Sequence, residues 1–152
     1  MTIEHSLKNT GATVIPSTVY NHNFWTLDNL APGPGLVLTF PFQIQTTRPP
    51  NKDFAEIRGN QFAYTKALED KDRVTSNMRG FGDSATDYDI RVENGKAGAG
   101  VRITGDRPLS NVALWSIRTV MAVEPYVSMK IEPGSEFTWK LTYSYYSLPA
   151  EK

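Results

Sequence analysis

Hydrophobic and polar residues alternate most clearly near the C-terminal end of the chain. In EFTWKLTYSYY (136–146), Phe137, Trp139, Leu141, Tyr143 and Tyr145 occupy every second position, and mostly polar residues stand between them. Successive side chains of a strand point to opposite faces of its sheet, so this period of two predicts a strand with one face in the core. We expect the other face to contact water or a second sheet.

Shorter runs of the same kind fill most of the chain, separated by Gly, Pro, Asn and Asp. Strands are predicted at 3–8, 13–19, 36–44, 88–94, 100–104 and 111–117, with two more around Gly59-Asn60 inside 53–68. GKAGA (95–99) predicts a hairpin turn, and EDKDR (69–73) predicts a solvated loop. No convincing 3.6-residue period indicates a helix. The sequence therefore predicts an all-β fold, a mostly antiparallel β-sandwich.

Length and charge narrow the classes of function. We expect residues 1–152 to form a single domain, since this length is enough for a sizeable core. Sixteen basic and sixteen acidic residues give a net charge of zero, which argues against partners such as nucleic acid or an anionic membrane. No apolar run approaches the roughly 18 residues of a membrane span, and no signal-peptide core follows Met1. A cytoplasmic location is the default expectation.

Residue types that hold metals and cofactors are scarce. Cys is absent and only two His occur, so a metal site is not expected. GKAGAG (95–100) lies between two predicted strands, which indicates a hairpin rather than a phosphate-binding loop. The sequence therefore predicts neither a metal nor a cofactor.

One histidine stands in an unusual setting. In STVYNHNFWTLDN (17–29), His22 lies between Asn21 and Asn23, with Tyr20 before them and Trp25 after them. Amides can bind sugar hydroxyls and aromatic rings can stack on the apolar face of a sugar, so the pattern suits a carbohydrate pocket. From the residues alone, the simpler interpretation is a buried histidine that is hydrogen-bonded within a loop at a strand end.

Two stretches resemble the aldose 1-epimerases, the galactose mutarotase-like proteins. HSLKNTGATVIPSTVYNHNFWTLDN (5–29) is similar to the family segment in which two strands deliver a histidine to the sugar site. Residues 111–146 are similar to the family's ending, where an apolar strand leads to a Glu-Pro pair, a Pro-Gly turn and a final strand. The resemblance implies a β-supersandwich roughly twice this length, with this chain as its C-terminal half. The other half would supply an arginine and a further histidine to the sugar pocket.

The resemblance also implies a catalytic pair. Interconverting the anomers of an aldose requires a base that takes the proton from the C1 hydroxyl and an acid that protonates the ring oxygen. Glu124 would be the base, and His22 would be the acid, since an imidazolium can donate a proton near neutral pH. Pro125 biases Glu124 to an extended backbone and should end strand pairing nearby.

Further residues would bind the sugar itself. Asn21 and Asn23 would orient His22 or hold sugar hydroxyls, and Trp25 or Tyr20 would stack on the sugar. The family places a hydroxyl-binding aspartate at about the position of Asp83. Two other residues compete for that match, Asp87 and Asp89, and Asp83 could instead cap its own turn.

Three functions follow from these observations. The first is a mutarotase-like isomerase that acts on a small-molecule sugar. The second is a β-sandwich that binds carbohydrate without catalysis. The third is a truncated domain that associates with a copy of itself, as a homodimer, or with another chain. The third is motivated by a chain that begins inside a predicted strand, because an unpaired sheet is prone to association.

Overall fold

A computed structural model describes residues 1–149, which fold almost entirely into strands. Over this range the strands are β1 (Thr2–Lys8), β2 (Ile15–Tyr20), β3 (Leu36–Thr39), β4 (Gln45–Arg48), β5 (Ala55–Arg58), β6 (Gln61–Tyr64), β7 (Arg73–Arg79), β8 (Asp89–Asn94), β9 (Ala99–Gly105), β10 (Asn111–Ile117), β11 (Val120–Ile131) and β12 (Glu136–Ser147). A 3₁₀ turn, Ala85–Asp87, precedes β8.

The strands of residues 1–149 form two sheets. The first has seven strands in the order β1-β12-β9-β8-β3-β6-β5, and the second has five in the order β2-β11-β10-β7-β4. Neighbouring strands pair antiparallel in both sheets. The predicted all-β antiparallel sandwich is confirmed.

The core lies between the two sheets. Each sheet contributes the alternate residues of its central strands, which are almost fully buried: Leu38, Phe62, Ile90, Val92 and Val101 from the first sheet, and Val74, Met78, Val112, Leu114 and Met121 from the second. Burying one such side chain stabilises the fold by about 1.5–3 kcal/mol. Because the inward positions are set by alternation, the outward positions of the same strands are fixed as well.

Several predicted elements differ from the observed ones. The strand predicted at 36–44 ends at Thr39, because the chain turns through Phe40-Pro41 and a proline cannot donate to a ladder. The hydrophobic pattern does not predict β4 or β7, whose strands carry many polar residues. Tyr145 continues the alternation of β12 but is 60% exposed, since it lies near the end of the strand.

Among residues 1–149, no helix is long and apolar enough to cross a membrane.

Candidate functional site

The candidate site lies on the outer face of the five-stranded sheet, the face that points away from the first sheet. Along β11, Met121, Val123 and Val127 belong to the core. The alternate residues Glu124 and Tyr126 therefore point to the outer face. Glu124 is nonetheless only 7% exposed, so other side chains of this face must cover it.

The segment that covers Glu124 follows β2. β2 pairs with β11 up to Tyr20, opposite Tyr126, and an isolated bridge then joins Trp25 to Met121. Four residues separate the two pairs on each strand, so the register is unchanged across the interval. Residues 21–24, which we call the His22 segment, therefore run beside 122–125 as a strand would.

A proline explains why the ladder is interrupted there. Pro125 remains in register with Val112 of β10, so pairing on that side passes through it. On the other side, Met121 exchanges backbone hydrogen bonds with Trp25. Met121 and Pro125 are four residues apart, and residues an even number apart on a strand direct their backbone groups to the same side. The nitrogen of Pro125 therefore also faces the His22 segment, but it carries no hydrogen to donate. The prediction that Pro125 ends pairing nearby holds for this side only.

The continuous register places His22 directly opposite Glu124. Nε2 of His22 is 3.3 Å from Oε1 of Glu124, and the two side chains are 42% and 9% exposed. The hydroxyl of Tyr126 donates to the other carboxylate oxygen over 3.4 Å. A nearly buried carboxylate is costly unless it is paired, and here each oxygen has a partner.

Tyr126 is itself held by a neighbouring ring. It stacks on Tyr20, its cross-strand partner, with 4.3 Å between ring centroids. Burial, the charge of Glu124 and the proximity of Tyr20 raise the pKa of Tyr126 to about 12. Tyr126 therefore keeps its proton at neutral pH and remains a hydrogen-bond donor to the carboxylate.

Two further aromatic rings lie against His22. Val112 and Leu114 of β10 are in the core, so Trp115 points to the outer face. Its ring centroid is 6.1 Å from that of His22, in an edge-on arrangement. Phe24, two residues after His22, is 4.7 Å away from it. Rings thus contact the histidine on one side and the carboxylate contacts it on the other, while part of its side chain stays exposed.

The other predicted sugar-binding residues of this segment point the opposite way. Asn23 donates to the hydroxyl of Tyr143 on β12 over 2.5 Å, and Nδ2 of Asn21 is 3.5 Å from Nε2 of His5 on β1. Trp25 packs on Tyr143, with ring centroids 5.8 Å apart. These three residues join the His22 segment to the first sheet, and the structure does not bring them beside the His22–Glu124 pair.

The aspartates lie apart from the pair as well. Asp83 is exposed in the loop after β7, and within residues 1–149 no hydrogen bond joins it to His22. Asp87 accepts from the backbone of Gly82 over 2.6 Å. Asp89 forms a bidentate pair with Arg102, at 2.7 Å for each bond. Neither competing aspartate reaches the outer face of the second sheet, because both contacts hold them near β8.

The sequence analysis did not assign a role to Trp115, which the structure places beside His22. One signal was present in the sequence. In NVALWSI (111–117) the core positions are Val112, Leu114 and Ser116, which leaves a tryptophan on the outward set. A large ring on the outward face of a central strand indicates a surface that does more than contact water.

Within residues 1–149, no three His, Asp or Glu side chains are grouped so that they could hold a metal ion.

Comparison with known proteins supports the fold. No family model matches the chain, and no curated protein matches its sequence. A candidate aldose 1-epimerase from Klebsiella pneumoniae matches the structure with a TM-score of 0.66 at 18% identity, over 95% of this chain and 42% of its own. A candidate aldose 1-epimerase from Escherichia coli K12 matches with a TM-score of 0.64 at 12% identity, over 97% and 56%.

A galactose mutarotase-like protein from Clostridium acetobutylicum gives a TM-score of 0.61 at 9% identity, over 97% of this chain and 52% of its own. The resemblance seen in the sequence is thus confirmed at the level of the fold. The chain spans about half the length of the solved structures it matches.

Proposed function

We propose that this protein interconverts the anomers of an aldose, with Glu124 as general base and His22 as general acid. The observation that carries the proposal is the direct contact between the two side chains, 3.3 Å from Nε2 to Oε1. It occurs on an outward sheet face of a mutarotase-like fold. The proposal requires an acid and a base side by side, and it is supported by the register of β11 with the His22 segment, which brings these two side chains together.

The reaction needs adjacent acid and base because both reacting oxygens are bonded to C1. The carboxylate of Glu124 takes the proton from the C1 hydroxyl, and the imidazolium of His22 gives its proton to the ring oxygen. The electron pair of the former O–H bond forms the aldehyde C=O, and the C1–O5 pair goes to the ring oxygen. Rotation about C1–C2 followed by the reverse transfers closes the other anomer and restores both groups.

The surroundings of the two groups suit these roles. Tyr126 donates to Oε2 of Glu124, which leaves Oε1 as the oxygen that faces His22. His22 is 42% exposed, so its ring can be reached from solvent. The base is thus fixed in the sheet, and the acid lies beside it and is partly exposed, so one sugar can approach both groups from solvent.

A second candidate function is carbohydrate binding without catalysis. The favouring observation is that the chain spans only about half of the solved structures it matches. By the family resemblance, the other half would add an arginine and a histidine to the pocket. In this alternative the same outer face holds the sugar, and the ring stays closed.

NMR exchange spectroscopy of the anomeric protons of galactose and glucose, with and without the protein, tests the proposal. Wild-type protein should accelerate α/β exchange, and Glu124→Gln should reduce the acceleration by about 10²–10⁴-fold while preserving the shape of the side chain. Glu93→Gln is a matched control, since Glu93 also accepts a tyrosine hydroxyl, that of Tyr146, but lies in the other sheet.

Acceleration that survives Glu124→Gln would contradict the assignment of the base. Sugar binding without acceleration, in protein shown to be folded, would establish the binding function instead.

A further inference from the structure

The outer face of the second sheet has a small residue at its centre. Ala113 of β10 pairs with Glu124 of β11 on one side and with Asn77 of β7 on the other. Along its own strand, Asn111 and Trp115 are the neighbours that share its face. A methyl group is thus surrounded on four sides by larger side chains, which creates a recess above it.

The dimensions of the recess follow from strand geometry. Facing Cα atoms of neighbouring strands are about 5 Å apart, so the Cα atoms of Glu124 and Asn77, on either side of Ala113, are about 10 Å apart. Cα atoms two residues apart along a strand are about 6.6 Å apart, so those of Asn111 and Trp115, four residues apart, are separated by about 13 Å. These Cα separations are the upper limits of the recess, because the side chains on its walls narrow it. Ala113 is partly exposed, so side chains of the described residues do not completely fill the space above it.

The walls of the recess match the chemistry of a sugar. Trp115 offers an apolar ring, and Asn77 and Asn111 offer amides that can bond hydroxyls. The guanidinium of Arg79 bonds the side-chain oxygen of Asn111, which orients that amide. Glu124 stands on the remaining side, where its carboxylate contacts His22 and accepts the hydroxyl of Tyr126.

We propose that the sugar ring lies in the recess above Ala113, with its apolar face against Trp115 and its hydroxyls toward Asn77 and Asn111. The proposal rests on the proposed function, because Glu124 must then meet the C1 hydroxyl. It makes Trp115 the stacking residue, a role that the sequence analysis gave to Trp25 or Tyr20. Specificity for the configuration of the remote hydroxyls then comes from β7 and β10, not from the His22 segment.

Filling the recess is the direct test. Ala113→Val adds two methyl groups in the recess and suits a strand better than alanine does, so the fold should be preserved. Ser128→Val is the matched control, since Ser128 is exposed on the same face of β11 but away from the recess. We expect Ala113→Val to raise KM for anomer exchange at least about tenfold and Ser128→Val to leave it unchanged.

A second variant tests the stacking ring. Trp115→Ala should raise KM about three- to tenfold, because it removes packing against the sugar. It also removes a ring that contacts His22, so sugar binding rather than kcat tests the stacking role. Saturation-transfer NMR with galactose and glucose measures binding in the same variants, so the placement can be tested without turnover.

The outcomes separate the two proposals. If the wild type binds sugar without accelerating exchange and Ala113→Val abolishes binding, the recess holds the sugar and the catalytic proposal fails. If the wild type accelerates exchange and Ala113→Val has the KM of Ser128→Val, the placement is overturned while catalysis stands. If the folded wild type neither binds nor converts either sugar, both are overturned.

Discussion

Replacing Tyr143 by phenylalanine should loosen the His22 segment. The hydroxyl of Tyr143 accepts from Asn23 over 2.5 Å, and its ring packs on Trp25. The substitution keeps the ring and removes the hydrogen bond, which contributes about 1 kcal/mol. Since 1.4 kcal/mol is a factor of ten, local opening of the segment should become about fivefold more frequent.

Amide hydrogen exchange measured by NMR reports this opening directly. The N–H of Trp25 donates to the carbonyl of Met121 over 2.7 Å, so its exchange follows separation of the bridge at the end of the segment. We expect this amide to exchange about fivefold faster in Tyr143→Phe.

A second tyrosine of β12 provides the control. Tyr146 donates to Glu93 over 2.7 Å and lies on the opposite face of β12. Tyr146→Phe therefore removes a tyrosine hydroxyl that does not contact the His22 segment. Its effect on the Trp25 amide should be negligible. An unchanged Trp25 rate in Tyr143→Phe, or equal changes in both variants, would refute a local anchoring role for this hydroxyl.

Two further predictions concern stability. Burial raises the pKa of Tyr64 and of Tyr88 well above the usual range, so both stay protonated in the folded protein where the unfolded chain ionises, above about pH 10. Their stabilising effect is complete below about pH 10 and is lost progressively as the pH rises above it. The free energy of unfolding measured with urea should therefore fall by up to about 2.7 kcal/mol per pH unit above about pH 10, and an unchanged value there would contradict this. Asn9→Ala should lower the free energy of unfolding, measured with urea at neutral pH, by about 3 kcal/mol. The buried Asn9 side chain donates to the carbonyls of Thr13 and Ile131 and accepts from the N–H of Gly11. A loss below about 1 kcal/mol would argue against these bonds.

Alternation was enough to predict most of the fold. β10 has the bounds predicted from its pattern, and the hairpins at 53–68 and 88–104 follow from their turn residues. β7 was missed because one of its inward positions is Ser76, whose hydroxyl bonds the carbonyl of Arg48. A buried serine that is satisfied by a neighbouring strand cannot be recognised from local hydrophobicity.

The geometry of the candidate site was predictable only in part. The resemblance singled out His22 and Glu124, and the structure places them in contact. It also suggested that Asn21 and Trp25 would share their pocket, although a period of two already separates these residues from His22. Trp115 could not be found locally, because its place beside His22 depends on the register between distant strands.

The fixed register around the His22 segment makes its length part of the site. Tyr20 and Trp25 are each tied to a partner on β11, and four residues must bridge the interval on both strands. Deleting or inserting one residue between Tyr20 and His22 would turn His22 toward the first sheet, and the same change after His22 would exchange the faces of the residues that follow, Trp25 included. By its hydrogen bonding this segment resembles a loop, in which a change of length is usually tolerated. Among homologues that keep a histidine opposite the glutamate, we therefore expect the amino acids between the two anchors to vary while their number does not.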